Sequence, residues 1–140
     1  MPLVVDASVA VKFTVREPRS EEARRYLATP DPLIAPDWLL AEAANTLWRK
    51  VKRSELLEIH AQENIEVLPD FFERLVPARE LVGEALRLGF RLRHPVYDCL
   101  YLALALREDC QLVTDDEEFH LSIDKSAFSG RSILLSRAQS

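Results

Sequence analysis

Residues 3–8 read Leu-Val-Val-Asp-Ala-Ser, and this stretch decides the fold. Leu3 to Val5 is a short, apolar and mostly β-branched run, of the kind found in a parallel strand buried on both faces. It ends at once in Asp6, the only charged residue between Met1 and Val11. In an open α/β sheet, ligands bind outside the carboxyl ends of the strands, and this carboxylate occupies such a place.

Similar runs follow at Leu33 to Ala35, Arg74 to Val76, Gln111 to Thr114 and Ser132 to Leu135. Helical stretches separate them. Asp37 is placed to cap a helix reaching about Arg53, with Leu40, Ala43, Ala44, Leu47 and Val51 as a core stripe at spacings of three and four. Ser54 is placed to cap a second helix toward Val67, Ala78 to Leu88 forms a third with Gly89 as its stop, and Pro95 opens a fourth that ends near Leu106. Strands alternating with helices predict an α/β fold with a central parallel sheet of about five strands, covered on both faces.

With 140 residues, 48% of them hydrophobic, three glycines and no low-complexity linker, the chain reads as a single domain spanning 1–140. Neither terminus resembles a leader peptide, and the longest apolar run, Cys99 to Leu106, is far short of the roughly 20 residues a membrane helix needs. A cytoplasmic protein without membrane association is expected. Cys99 and Cys110 lack metal-ligand spacing and read as reduced core residues. The net charge of -5 disfavours a polyanionic partner at first sight, but two divalent cations would bring it to about -1.

Two further carboxylates share the isolation of Asp6. Glu42 is the only charge from Trp38 to Trp48, and Asp98 the only one from Pro95 to Leu106. A buried carboxylate without a base must be protonated, paired or bound to a metal. Both lie near helix starts, so the topology brings them toward the sheet edge of Asp6. Asp115 and Asp116 arrive there directly after the run Gln111 to Thr114, whose last residue adds a hydroxyl. Oxygen ligands without Cys or His suit Mg²⁺ or Mn²⁺. Each acid also has a plain explanation: Asp6 as a helix cap, Glu42 paired with Arg49, Asp98 at a helix dipole, Asp115 and Asp116 as an acidic helix start.

The segments VVDASVAVK, PDWLLAEAANTLW, HPVYDCLYLALA and LVTDDEEF, in that order, resemble the PIN-domain family and within it the VapC-type toxins. The resemblance spans essentially the whole chain. It implies an α/β/α sandwich and a metal-dependent endoribonuclease whose acids are Asp6, Glu42, Asp98 and one of a T-x-D element; Asp115 falls in the variable slot of that element, which leaves open whether Asp115 or the favoured Asp116 faces the metal. Ser8 and Thr114 fall on hydroxyl positions beside the metals, and Asn45 on a polar position one turn after the glutamate. Asp6 and Asp98 are expected as the principal ligands, with products bearing a 5′-phosphate. Also implied are a VapB-like antitoxin and a homodimer. Phe13, Tyr26, Leu27 and Trp48 could serve such binding or simply pack in the core.

RNA needs a positive rim, and Arg91 and Arg93, just before the Asp98 helix, are the better candidates, with Lys12 as a further phosphate contact. His60, His94 and His120 read as surface or capping residues. A haloacid-dehalogenase-type phosphatase needs a second Asp where Ser8 stands, and a receiver-like domain has no use for Glu42 or Asp98. A PIN-like module that binds RNA or a partner without cutting is the remaining alternative.

Overall fold

The computed structural model describes residues 1–135. Strands β1 (Leu3–Val5), β2 (Leu33–Pro36), β3 (Arg74–Val76), β4 (Gln111–Thr114) and β5 (Ser132–Leu134) form one all-parallel sheet in the order β3-β2-β1-β4-β5. Between them lie α1 (Ala7–Ala10), α2 (Ser20–Arg24), α3 (Trp38–Lys52), α4 (Glu58–Val67), α5 (Val82–Leu92), α6 (Val96–Arg107) and α7 (Glu117–Asp124). The result is the expected α/β/α sandwich.

Strand order matters for the site. The chain steps outward from β1 to β3, then returns to lay β4 on the other side of β1, so a crevice opens between the ends of β1 and β4. Val5 pairs with Val113, and the Asp6 N–H donates to the Val113 carbonyl at 3.2 Å. Asp6 and Thr114 therefore end side by side.

Helix α6 packs across β1, β2 and β4 and carries α5 on its other side. Residues Cys99 to Ala105 are all buried, which explains a sequence apolar on every face of the helix. Cys110 is buried as well, and both cysteines are free. Among the described residues no helix is long and apolar enough to cross a membrane.

Four local expectations are corrected. Gly89 does not stop a helix: a Cβ there would lie 3.1 Å from the His94 carbonyl oxygen and 3.3 Å from the Val96 side chain. Its role is close packing, and α5 continues past it to end at Arg93, which adopts φ 54°. Ser54 sits in the turn after α3 at φ 60°, and α4 begins only at Glu58 without a side-chain cap. Asp37 precedes α3, yet its Oδ1 accepts from the Ala78 N–H at 2.9 Å, tying this turn to the single 3₁₀ turn Ala78–Glu80. The buried face of α3 is Leu39, Ala43 and Leu47, with Leu40 half-buried, Val51 only partly covered and Ala44 exposed. Ala44 and Val51 instead line an open apolar groove between α3 and α4.

Candidate active site

Asp6 leaves β1 and caps α1, its Oδ1 accepting from the Val9 N–H at 3.3 Å. The cap reading of the sequence is thus correct, but it describes only one of three contacts. Ser8 Oγ donates to Oδ1 at 2.5 Å, and the fully buried Thr114 hydroxyl donates to Oδ2. Each hydroxyl also accepts a backbone N–H from the turn after β4: Ser8 from Asp115 at 2.9 Å, Thr114 from Asp116 at 3.0 Å. The two hydroxyls therefore stitch the ends of β1 and β4 together around one carboxylate. Burial pushes the Asp6 carboxyl up to about 7, against the pull of these hydroxyls, and the Glu42 charge adds to the rise.

Glu42 projects from the second turn of α3. Its Oε1 accepts from the Tyr101 hydroxyl at 2.6 Å. Burial raises its pKa, the Tyr101 bond opposes this, and the Asp98 charge raises it further. The pairing with Arg49 is a distant attraction; Arg49 itself bonds Thr46 at 3.4 Å. Asp98, in the first turn of α6, has Oδ2 2.7 Å from His94 Nε2. Its pKa is raised, by burial first, opposed by His94, with Asp116 and Glu118 pushing it up. Asp116 caps α7, accepting from the Phe119 N–H at 3.1 Å.

Asp115 and Asp116 point to different company. Asp115 is held by Arg19 in a two-pronged ion pair at 2.8 and 2.9 Å, with Lys12 Nζ at 3.5 Å. Asp116 stays within electrostatic reach of Asp98. Lys12, expected on the RNA-binding rim, is corrected: it is buried, bonded to Glu17 at 2.5 Å and adjacent to Asp115, so it holds the turn after β4 and offers no free ammonium to a phosphate. Arg91 and Arg93 are exposed, the former with its guanidinium 5.0 Å over the Phe128 ring. Asn45 is exposed on α3, one turn beyond Glu42. Phe13 is buried and touches Phe71, Tyr26 and Leu27 are half-buried against the core, and only Trp48, 58% exposed, stands free for a partner.

The acids form a row of mutually repelling charges, Asp6 to Glu42 to Asp98 to Asp116. They do not form a finished cage. No group of three His, Cys, Asp or Glu side chains among the described residues is close enough to hold a metal as it stands. Each carboxylate is bonded to a local donor: Ser8 and Thr114, Tyr101, His94, or the Phe119 N–H. The donor set fits a hard divalent cation in chemistry, being oxygen-only and short of positive charge. Each anionic carboxylate oxygen accepts more than one bond, so a cation could be added without displacing these donors.

Tyr101 belongs to this site and was not singled out from sequence, whereas His94 and His120, read there as surface or capping residues, are corrected: the His94 side chain is buried against Asp98, and His120 is buried beside the Ser132 hydroxyl. Tyr101 lies three residues after Asp98 and His94 four before it, so helical spacing alone could have flagged both. Arg19 carried no signal, because its partner lies 96 residues away.

The sequence profile of the PIN domain matches residues 3–121. A Pyrobaculum aerophilum protein named Ribonuclease VapC3 is 36% identical over 120 residues, covering 84% of this chain and 92% of that one. Ribonuclease VapC1 of Mycobacterium tuberculosis is 33% identical over 115 residues, covering 81% and 84%. The crystal structure of PAE2754 from Pyrobaculum aerophilum superposes with a TM-score of 0.71 at 20% identity, over 97% of this chain and 85% of that one. At that identity the likeness speaks for the fold.

Proposed function

Because the chain belongs to the PIN-domain family, as a VapC-type member, we propose that it is a metal-dependent endoribonuclease and the toxin of a VapBC-type pair. One observation carries the metal reading. Asp6, Glu42 and Asp98 all have their pKa raised, chiefly by burial, and among the described residues no lysine or arginine forms an ion pair with any of the three carboxylates. Such a row is costly unless a cation completes it. The names of the relatives support RNA as the substrate and a VapB protein as partner.

In this reading Asp6 and Asp98 hold the Mg²⁺ or Mn²⁺, Asp116 completes the set, and Glu42 ligates or orients the attacking water. Bound there, the cation supplies a lowered water pKa and neutralises charge at phosphorus and the leaving oxygen. Ser8 and Thr114 fix the plane of the Asp6 carboxylate, and Tyr101 fixes Glu42. Arg19 and Lys12 neutralise Asp115 and keep it out of the acid row. Arg91 and Arg93 attract the RNA backbone by charge. A homodimer and an antitoxin peptide need apolar surface, and the groove beside Trp48 and the residues Val82, Leu86 and Phe90 on α5 offer it.

Purified protein incubated with total RNA in Mn²⁺ or EDTA, beside Asp6→Asn and Asp98→Asn, tests the chemistry. Cleavage is expected only for the wild type with metal. Cleavage that survives EDTA and both substitutions would defeat the proposal. Regulated expression, with and without a small adjacent reading frame, tests the toxin role. Growth arrest relieved by that frame is expected, and unimpaired growth would contradict it.

A further inference from the structure

Asp98 is not steered by α6 alone. Its Oδ2 lies 2.7 Å from Nε2 of His94, across Pro95 in the turn that joins α5 to α6. That side chain is only 6% exposed. Its ring stacks on Phe119, with centroids 4.8 Å apart and 25° between the planes. Phe119 is fully buried, and its N–H is the one that holds Asp116. One imidazole therefore touches the Asp98 carboxylate and the residue that anchors Asp116.

The backbone fixes the ring from behind. The His94 N–H donates to the Gly89 carbonyl at 3.1 Å, and the His94 carbonyl packs where any side chain at Gly89 would go. The absence of a Cβ at Gly89 thus sets where His94 stands. An ionised carboxylate only accepts, so Nε2 carries the hydrogen in this contact whatever the charge on the ring.

We infer that His94 is a positioning residue for Asp98: its Nε2–H occupies Oδ2 and fixes the plane in which the carboxylate would hold the cation. This rests on the metal reading above. Outer partners of metal ligands commonly change affinity by about 10–100-fold when removed.

The test is the affinity for Mn²⁺ alone, by isothermal titration calorimetry, of wild type, Asp98→Asn, His94→Phe and His94→Gln. Phenylalanine keeps the stack and loses the hydrogen bond; glutamine keeps an N–H near the position of Nε2 and loses the ring. His94→Phe is expected to weaken binding about tenfold or more, and His94→Gln to stay within about threefold of wild type. In the Asp98→Asn background, His94→Phe is expected to add nothing. If the phenylalanine variant does not fold, His94→Leu is compared with His94→Gln instead: both lose the ring, and only glutamine keeps an N–H for Asp98, so leucine alone is expected to weaken binding. Wild-type affinity in His94→Phe, or equal losses in the phenylalanine and glutamine variants, would overturn the inference while leaving the metal reading intact. Absence of saturable Mn²⁺ binding by the wild type would overturn both.

Discussion

Asp6→Asn should make the metal-free protein more stable at neutral and alkaline pH, as expected where a proposed metal ligand is buried without its metal. Asp6 has an ordinary pKa of 3.8 and about 7 in the fold, because burial disfavours its charge. An acid whose pKa rises on folding stabilises the fold fully below its unfolded value and loses that contribution as pH climbs through the folded one. Each pH unit within that window removes about 1.4 kcal/mol. From pH 5 to pH 8 the loss amounts to about 3 kcal/mol. Asparagine cannot ionise, and the Ser8 and Thr114 hydroxyls can rotate to meet its amide. Urea unfolding in EDTA at several pH values should therefore show wild-type stability falling toward pH 8 while Asp6→Asn falls less, by about that amount. Excess Mn²⁺ should restore the wild type, by about 3 kcal/mol at a hundredfold excess over Kd, and leave the variant unchanged. Parallel pH curves for the two proteins would refute the reasoning, since the divergence comes from the raised pKa of Asp6, caused chiefly by burial.

Tyr101→Phe removes the hydroxyl bonded to Glu42 Oε1, and urea unfolding should register a loss of about 1–3 kcal/mol, with single-turnover cleavage slowed at saturating RNA. Asp116→Asn separates cap from charge: asparagine caps as well as aspartate, so stability should change by less than about 0.5 kcal/mol. RNA cleavage should fall by about 10–100-fold, as expected when the carboxylate shell of a metal site is weakened. Arg19→Ala exposes the contrast with Asp115. Its guanidinium side chain is 42% exposed, so thermal melts should show a cost below about 1 kcal/mol, and cleavage should fall far less than in Asp116→Asn.

Much of the site was legible because its signals were local. A β-branched run ending in Asp6, and helices with one carboxylate each, are visible in any reading of residues 3–6, 38–48 and 95–106. The parallel sheet followed from alternation, and the crevice beside β1 from the rule for open α/β sheets. What stayed hidden depended on tertiary contacts. Asp115 and Asp116 are equivalent by sequence until Arg19 claims one of them across 96 residues. Lys12 looked free for phosphate because nothing local said that Glu17 and Asp115 would enclose it. Gly89 looked like a stop because the same residue serves helix ends and helix crossings, and only the approach of α6 decides between them. Ser54 looked like a cap, but φ 60° places it in the turn before α4.

Whether these acids serve a metal at all is tested most directly by anomalous diffraction from crystals soaked in Mn²⁺. The expected result is a manganese peak within about 2 Å of oxygens from both Asp6 and Asp98. Asp116 should lie at or near the peak, and Asp115 should still be paired with Arg19. Manganese bound only elsewhere, with Asp6 still bonded to Ser8, Thr114 and the Val9 N–H alone, would contradict the metal centre and return Asp6 to the role of a buried helix cap.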